Sequence, residues 1–176
     1  MCWTLVQGAV KNFYAFDMVH IARTAKGTFE AAPLLVEKLK SHKIKSVILI
    51  GDASGKSNKT SAAGETDYTI IKAALDEAGI EWEDIVPDAN PSVKDRVNCF
   101  NAHCQDANGV SHFWLHPENC APLKKDCQRQ VWRDGSGKLH PGKDNSLGHA
   151  ADGVGYLFHA VDPLQAFEDS FDLHIL

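Results

Sequence analysis

Residues 47–60 read VILIGDASGKSNKT, an apolar run that ends in Gly-Asp and passes directly into Gly-Lys-Ser. Two readings compete for it. A phosphate-cradling P-loop needs four residues between its first glycine and the Gly-Lys-Ser/Thr, so that successive backbone N–H groups wrap the phosphates. Gly51 and Gly55 enclose only Asp52, Ala53 and Ser54, and an aspartate in that cradle would repel the phosphates it should hold. The other reading is a strand that ends by presenting Asp52 as a rigidly aimed carboxylate, and the surrounding sequence favours it.

Working outward, MCWTLVQGAV (residues 1–10) is β-rich, Lys11-Asn12 makes a turn and residues 13–22 form a second strand, so the chain opens on a hairpin. Thr28 is placed to cap a helix over about 29–42, with Leu35 and Leu39 on one face. Residues 47–50 form a buried strand, and the Ser-, Lys- and Gly-rich residues 54–65 a loop. A helix over 67–78 is closed by Gly79 at its C′ position, and a short strand follows at 81–86. Asn90-Pro91 reads as the cap and first residue of a helix reaching about 106, with Val93, Val97, Phe100 and Cys104 as its apolar stripe. A strand at 111–115, a helix at about 118–133, a partly basic loop at 135–145 and a helix at 147–161, stopped by Pro163, complete the order β-β-α-β-α-β-α-β-α-α. The pattern predicts one α/β domain over 1–162 with a hairpin at its front, followed by an acidic tail at 163–176.

Length and composition agree with this. The 176 residues suit one domain with a full-sized core, and no apolar run approaches membrane-spanning length. Polar breaks after Val10 and Ala22 argue against a signal peptide of usual design. Five cysteines, an odd number without small-scaffold spacing, favour reduced thiols in a cytosol. The formal charge of −5 argues against a generic basic nucleic-acid coat, yet Lys124, Lys125, Arg129, Arg133, Lys138 and Lys143 form a local basic stretch. That stretch is either a solvated helix face or a phosphate-contacting one.

The final helix, SLGHAADGVGYLFHAVDP, has Ala150, Val154, Leu157, Phe158 and Val161 on its apolar stripe. His149, Asp152, Tyr156 and His159 follow at i, i+3, i+7 and i+10 along a second face. Gly148, Gly153 and Gly155 each cost a helix about 1 kcal/mol against alanine, which is tolerable where the helix lies close against a sheet or admits a ligand. Alone, this is a helix with a polar flank; combined with Asp52 it suggests more. Hard divalent cations take oxygen ligands, and a strand-end carboxylate and a helix carboxylate can converge on one ion. Two ions about 3.5–4 Å apart activate a water and stabilise the leaving oxygen in phosphodiester hydrolysis. A third carboxylate is usual. Asp17, mid-strand in YAFDMVHIA, is a peripheral ligand or, more commonly for such a position, a solvent-facing residue. Cys99, His103, Cys104, His116, Cys120 and Cys127 contain no CxxC pair, and the cysteines fit helix stripes better than a zinc site.

With these residues in hand, the chain resembles the C-terminal nuclease domain of tailed-phage large terminase subunits, of the RNase H-like superfamily. The resemblance rests on GDASGKSNKTSAAGETDY, NPSVKDRVNCFNAHCQDANG, HPENCAPLKKDCQRQVWRDG and DNSLGHAADGVGYLFH, in the family's order. It implies an RNase H-like mixed sheet flanked by helices. It also implies a metal-dependent endonuclease, using Mg²⁺ or Mn²⁺ with two ions in the complete site, that cuts concatemeric double-stranded DNA during viral packaging. The implied setting is the cytoplasm of a bacterial host, with the terminase ATPase domain, the small terminase subunit and the portal as partners, and no membrane.

By position, the resemblance makes Asp52 the family's second acidic ligand and Asp152 its last. His149 matches the histidine one helical turn before that aspartate in some members, and Asp144 is a nearby acidic residue. Lys56 and Lys59 are expected to contact the DNA backbone, with Lys124, Lys125, Arg129 and Lys143 as further contacts. The family's leading aspartate lies on a first strand upstream of the segment that MCWTLVQGAV resembles, and this sequence starts after that point. The expectation is therefore a chain without that strand and its ligand, with an unpaired edge along residues 1–10 and little cleavage of its own. Another RNase H-like nuclease of resolvase or recombinase type, acting on branched DNA, and an inactive prophage remnant that only binds DNA are the alternatives.

Overall fold

The computed structural model describes residues 2–9, 11–21, 27–57, 64–133, 138–140, 142 and 147–164. Its elements follow the expected order: β1 (Cys2–Ala9), β2 (Asn12–His20), α1 (Thr28–Ser41), β3 (Ser46–Leu49), α2 (Asp67–Ala78), β4 (Glu81–Asp84), α3 (Val93–Cys104), β5 (Phe113–Leu115), α4 (Ala121–Arg129) and α5 (His149–Val161). Nearly all of the tail at 163–176 lies outside the described residues. Among the described residues no helix is long and apolar enough to cross a membrane.

The strands form a mixed sheet, β1-β2-β5, and a separate parallel pair, β3-β4. β1 and β2 are an antiparallel hairpin, with Lys11 at φ 68° in its turn, and β5 lies parallel to β2. Among the described residues, β1 pairs only with β2, and β3 only with β4. Pairing slips between Leu5↔Asp17 and Val6↔Ala15, which leaves Phe16 as an extra residue. Such a bulge resets the two-residue alternation of a strand. Ala15 and Met18 consequently enter one core although they are three residues apart, while Val19 enters the other.

Those two cores organise the chain. The first gathers Cys99 and Phe100 of α3, Leu123 of α4 and Ala150, Val154 and Phe158 of α5 against β2 and Phe113 of β5. Phe158 is its centre, with Phe13, Phe113 and Phe100 around its ring and His103 stacked on it at 3.9 Å. The second packs Leu35 and Leu39 of α1 on Ile71 and Leu75 of α2, with Trp3 and Leu5 of β1 and Val47 and Leu49 of β3 beneath them.

Five sequence expectations are corrected. β3 is not buried on both faces: Ile48 is 57% exposed, because this two-stranded sheet packs only its Val47/Leu49 face on the helices. Thr28 does not cap α1; Gly27 holds that position, and the buried Thr28 hydroxyl donates to Asp67 at the start of α2. Asp17 is buried rather than solvent-facing, accepting from Lys38 (2.6 Å) and bonded to His42 (2.9 Å) on α1. α3 begins at Val93 under a Ser92 cap, two residues beyond the expected Pro91, because the Asn90 side chain is used elsewhere. Its buried face is Arg96, Cys99, Phe100 and His103, so Cys104 is exposed and the stripe is rotated from the expected one; Cys127 on α4 is exposed as well.

Candidate active site

The backbone leaves β3 at Leu49 and reaches Asp52 in extended conformation (φ −70°, ψ 123°). There it turns into a single 3-10 turn, Ala53–Lys56, where a loop was expected. Asp52 caps that turn by accepting from the Ser54 backbone N–H at 2.7 Å. It accepts a second hydrogen bond from the Asn90 amide at 2.8 Å, while Asn90 takes the Ala53 N–H at the same distance. The spacing of Gly51 and Gly55 has its reason in Tyr68 of α2. A Cβ at Gly51 would meet the Tyr68 hydroxyl at 2.6 Å, and one at Gly55 the ring at 2.7 Å. With both positions bare, that hydroxyl donates to the Asp52 carbonyl at 3.0 Å.

α5 brings the second carboxylate. Asp126 of α4, itself buried, accepts from the Ala150 and Ala151 N–H groups (2.9 and 3.2 Å), which satisfies the helix N-terminus and ties α4 to α5. The next residue, Asp152, accepts from Arg96 Nη1 at 2.9 Å, across from α3. The same guanidinium lies 4.3 Å over the ring of Tyr156, the residue one turn beyond Asp152. The Tyr156 phenol in turn lies within electrostatic reach of Asp52. Arg96 and Tyr156 thus lie within electrostatic reach of both aspartates.

Electrostatics follow from these contacts. Desolvation opposes ionisation of Asp52, but the bonds from Asn90 and Ser54 and the field of Arg96 outweigh it and hold the carboxyl below the usual range. Burial pushes the Tyr156 phenol up, against the opposing pull of Arg96. Tyr156 is therefore neutral, and Asp52 ionised, at neutral pH.

Of the other predicted site residues, His149 is the first residue of α5 and is exposed. It lies, with Lys125 and Asp126, within electrostatic reach of His20 at the end of β2. Lys124, Lys125 and Arg129 are exposed on α4, opposite its buried Leu123 and Asp126. Lys56 donates to the Val86 carbonyl and to Asp88, both at 2.9 Å. Lys59, Lys143 and Asp144 lie outside the described residues. Asp52 and Asp152 offer the hard oxygens that Mg²⁺ or Mn²⁺ takes. Among the described residues no group of three or more His, Cys, Asp or Glu is arranged to hold a metal ion, and Asp152 already has a cationic partner in Arg96.

Sequence reasoning missed Arg96 and Asn90 and gave Tyr156 no role. Arg96 did leave a signal, a cation in helical phase between Val93 and Phe100 on the buried side of α3. No protein-family model, curated protein or solved structure matches the chain.

Proposed function

We propose that the chain is the nuclease portion of a viral DNA-packaging terminase, on an RNase H-like fold, acting on double-stranded DNA in a bacterial cytoplasm. One observation carries the reading. Two aspartates that the sequence singled out, one just beyond a strand and one on the last helix, share one electrostatic neighbourhood built around Arg96 and Tyr156. In this reading Asp52 and Asp152 hold the divalent cation, with His149 and Asp144 as further candidates. When bound, Mg²⁺ or Mn²⁺ supplies activation of a water and stabilisation of the leaving oxygen of a phosphodiester. Asn90 and Ser54 keep the Asp52 carboxylate ionised and oriented. Lys124, Lys125 and Arg129 face the DNA backbone. The terminase ATPase domain, the small subunit and the portal are the partners this reading proposes.

The reading also places one further strand beside β1 and β3, whose outer edges pair with nothing among the described residues. A second reading, DNA binding without cleavage, is favoured by the Arg96–Asp152 pair, which already supplies a cation to one of the two carboxylates. Mn²⁺ binding, followed by electron paramagnetic resonance, separates the two. The nuclease reading expects the chain to bind Mn²⁺, and Asp52→Asn and Asp152→Asn each to weaken it. If neither substitution changes Mn²⁺ binding, the metal site is not here.

A further inference from the structure

α1 covers the sheet β1-β2-β5 only in part. It ends at Ser41 above the middle of β2, where Lys38 and His42 bond Asp17 and the His42 ring meets Phe16 edge-on at 5.0 Å. Before Phe16 that face is bare. Phe13 and Ala15 of β2, and Phe113 and Leu115 of β5, turn to the Phe158 core, so alternation puts Tyr14 and Trp114 on the other side. Trp3 and Leu5 of β1 face that side too, and Gln7 is the next residue on it.

Gln7 pairs with Tyr14, and Tyr14 with Trp114, so the three form one row across three strands. Neighbouring strands lie about 4.8 Å apart, which makes the row about 10 Å wide. Tyr14 is 40% exposed and Trp114 47%. Among the described residues neither ring packs on another ring. Single exposed apolar residues are ordinary, but adjoining ones on one face mark an interaction surface.

The charge at its borders selects the partner. Lys11 stands in the hairpin turn at one end of β2, and Lys43 and Lys45 follow α1 at the other side. All three are exposed and have no ion pair among the described residues. Residues 37–46, EKLKSHKIKS, hold four lysines to one glutamate, a local excess of cations in a chain of net charge −5. The carboxylates on the flanking segments are engaged: Asp17 by Lys38 and His42, Asp106 by His112.

We infer that this face is a stacking platform for a single nucleic-acid strand, with unpaired bases on Tyr14 and Trp114 and phosphates at Lys11 and Lys43. Base–aromatic stacking needs an open base face, which a single strand offers along its length and a duplex does not. The Gln7 amide, donor and acceptor at once, lies beside Tyr14 for the edge of a base. The platform includes neither Asp52 nor Asp152 and does not rest on the nuclease reading.

The test is fluorescence anisotropy of a short labelled oligothymidylate titrated with the full chain, without metal, beside a duplex of equal length. The expected result is saturable binding of the single strand, tighter than that of the duplex. Tyr14→Ala and Trp114→Ala are each expected to weaken it roughly tenfold, while Tyr14→Phe and Trp114→Phe stay close to wild type. Circular dichroism checks that the variants are folded. Lys43→Glu is expected to weaken binding and to reduce its salt slope by about one. Affinity unchanged in both alanine variants, or no preference for the single strand, overturns the platform. A dimer in sedimentation that the alanine variants dissolve, with no oligothymidylate bound, also overturns it and makes a second copy of the chain the occupant. Asp52→Asn, the variant that tests the metal site, is expected to keep its single-strand binding, so the two proposals fail separately.

Discussion

A side chain at Gly155 would begin 3.3 Å from the Cβ of Arg96 and 3.4 Å from its carbonyl oxygen, so the bare glycine is what lets α5 close on α3. A Cβ on the neighbouring Gly153 would meet nothing within 4 Å. The two glycines, alike in sequence, therefore answer differently to one substitution. Gly153→Ala is expected to stabilise by up to about 1 kcal/mol, the helix-propensity difference. In Gly155→Ala that gain is offset by overpacking against the Arg96 Cβ, worth about 1–3 kcal/mol, for a net loss and a displaced Arg96. Urea midpoints of the two variants against wild type check the opposite signs.

Removing either partner of the Arg96–Asp152 pair has unequal consequences. Asp152 is 40% exposed at its side chain and can rehydrate when Arg96 is replaced by methionine. Asp152→Ala instead leaves a buried guanidinium without the anion it hydrogen-bonds, at a cost of about 1–3 kcal/mol. Asp152→Ala is expected to be the more destabilising change, and the double-mutant coupling to stay near 1 kcal/mol because solvent screens the exposed partner. Equal losses in chemical denaturation would show that the pair does not carry this asymmetry.

Asp17 gives a pH signature. Desolvation raises its pKa, but hydrogen bonds from Lys38 and His42 and from the Met18 N–H overcome that and hold it below the ordinary carboxylate value. A carboxyl depressed in the folded state stabilises above its unfolded pKa of about 3.9, and that contribution is lost as pH falls through the lower folded value. Stability of the wild type is therefore expected to drop on acidification below about pH 4. Asp17→Asn should be less stable at pH 7 and show a shallower acid limb. Parallel acid limbs in thermal scans would remove Asp17 as a source.

Asp126 is expected to hold the start of α5. Asp126→Ala removes the acceptor of two buried N–H groups and should cost about 1–3 kcal/mol, whereas Asp126→Asn keeps one acceptor oxygen and should cost less. Amide exchange at Ala150, Ala151 and Asp152 should accelerate in the alanine variant more than exchange in α3. Unchanged protection there would mean that the α5 terminus is held by packing alone.

Signals carried by neighbouring residues were legible in the sequence. Gly79 takes the left-handed φ of 69° expected of a residue that ends α2, and the hairpin forms within a residue or two of its predicted limits. The helical place of Asp152 was readable too, and Asp52 does follow a strand, but three residues beyond its end, as the cap of a 3-10 turn. Polar side chains whose partners are distant in sequence were not. Arg96 meets Asp152 across 56 positions, Asn90 meets Asp52 across 38, and Asp17 finds Lys38 and His42 at 21 and 25. Each looked like an ordinary cap, helix-surface or strand-surface residue, because what buries it is tertiary. The bulge at Phe16 hid Asp17 further by breaking the alternation used to place it.

The two cores have a consequence for cooperativity. Asp52 follows β3 and is roofed by α2, so it belongs with the Leu39/Leu75 cluster, while Asp152 rides on α5 with the Phe158 cluster. The β1–β2 hairpin feeds side chains to both, as a party wall between two rooms. Local opening events in proteins follow such contiguous units rather than single bonds. A loosening at this joint would carry Asp52 out of the field of Arg96 and Tyr156 while each half kept its own packing. The aspartate pair is then the most sensitive reporter of how the halves sit together, and it is expected to come apart in mild denaturant before helix content falls.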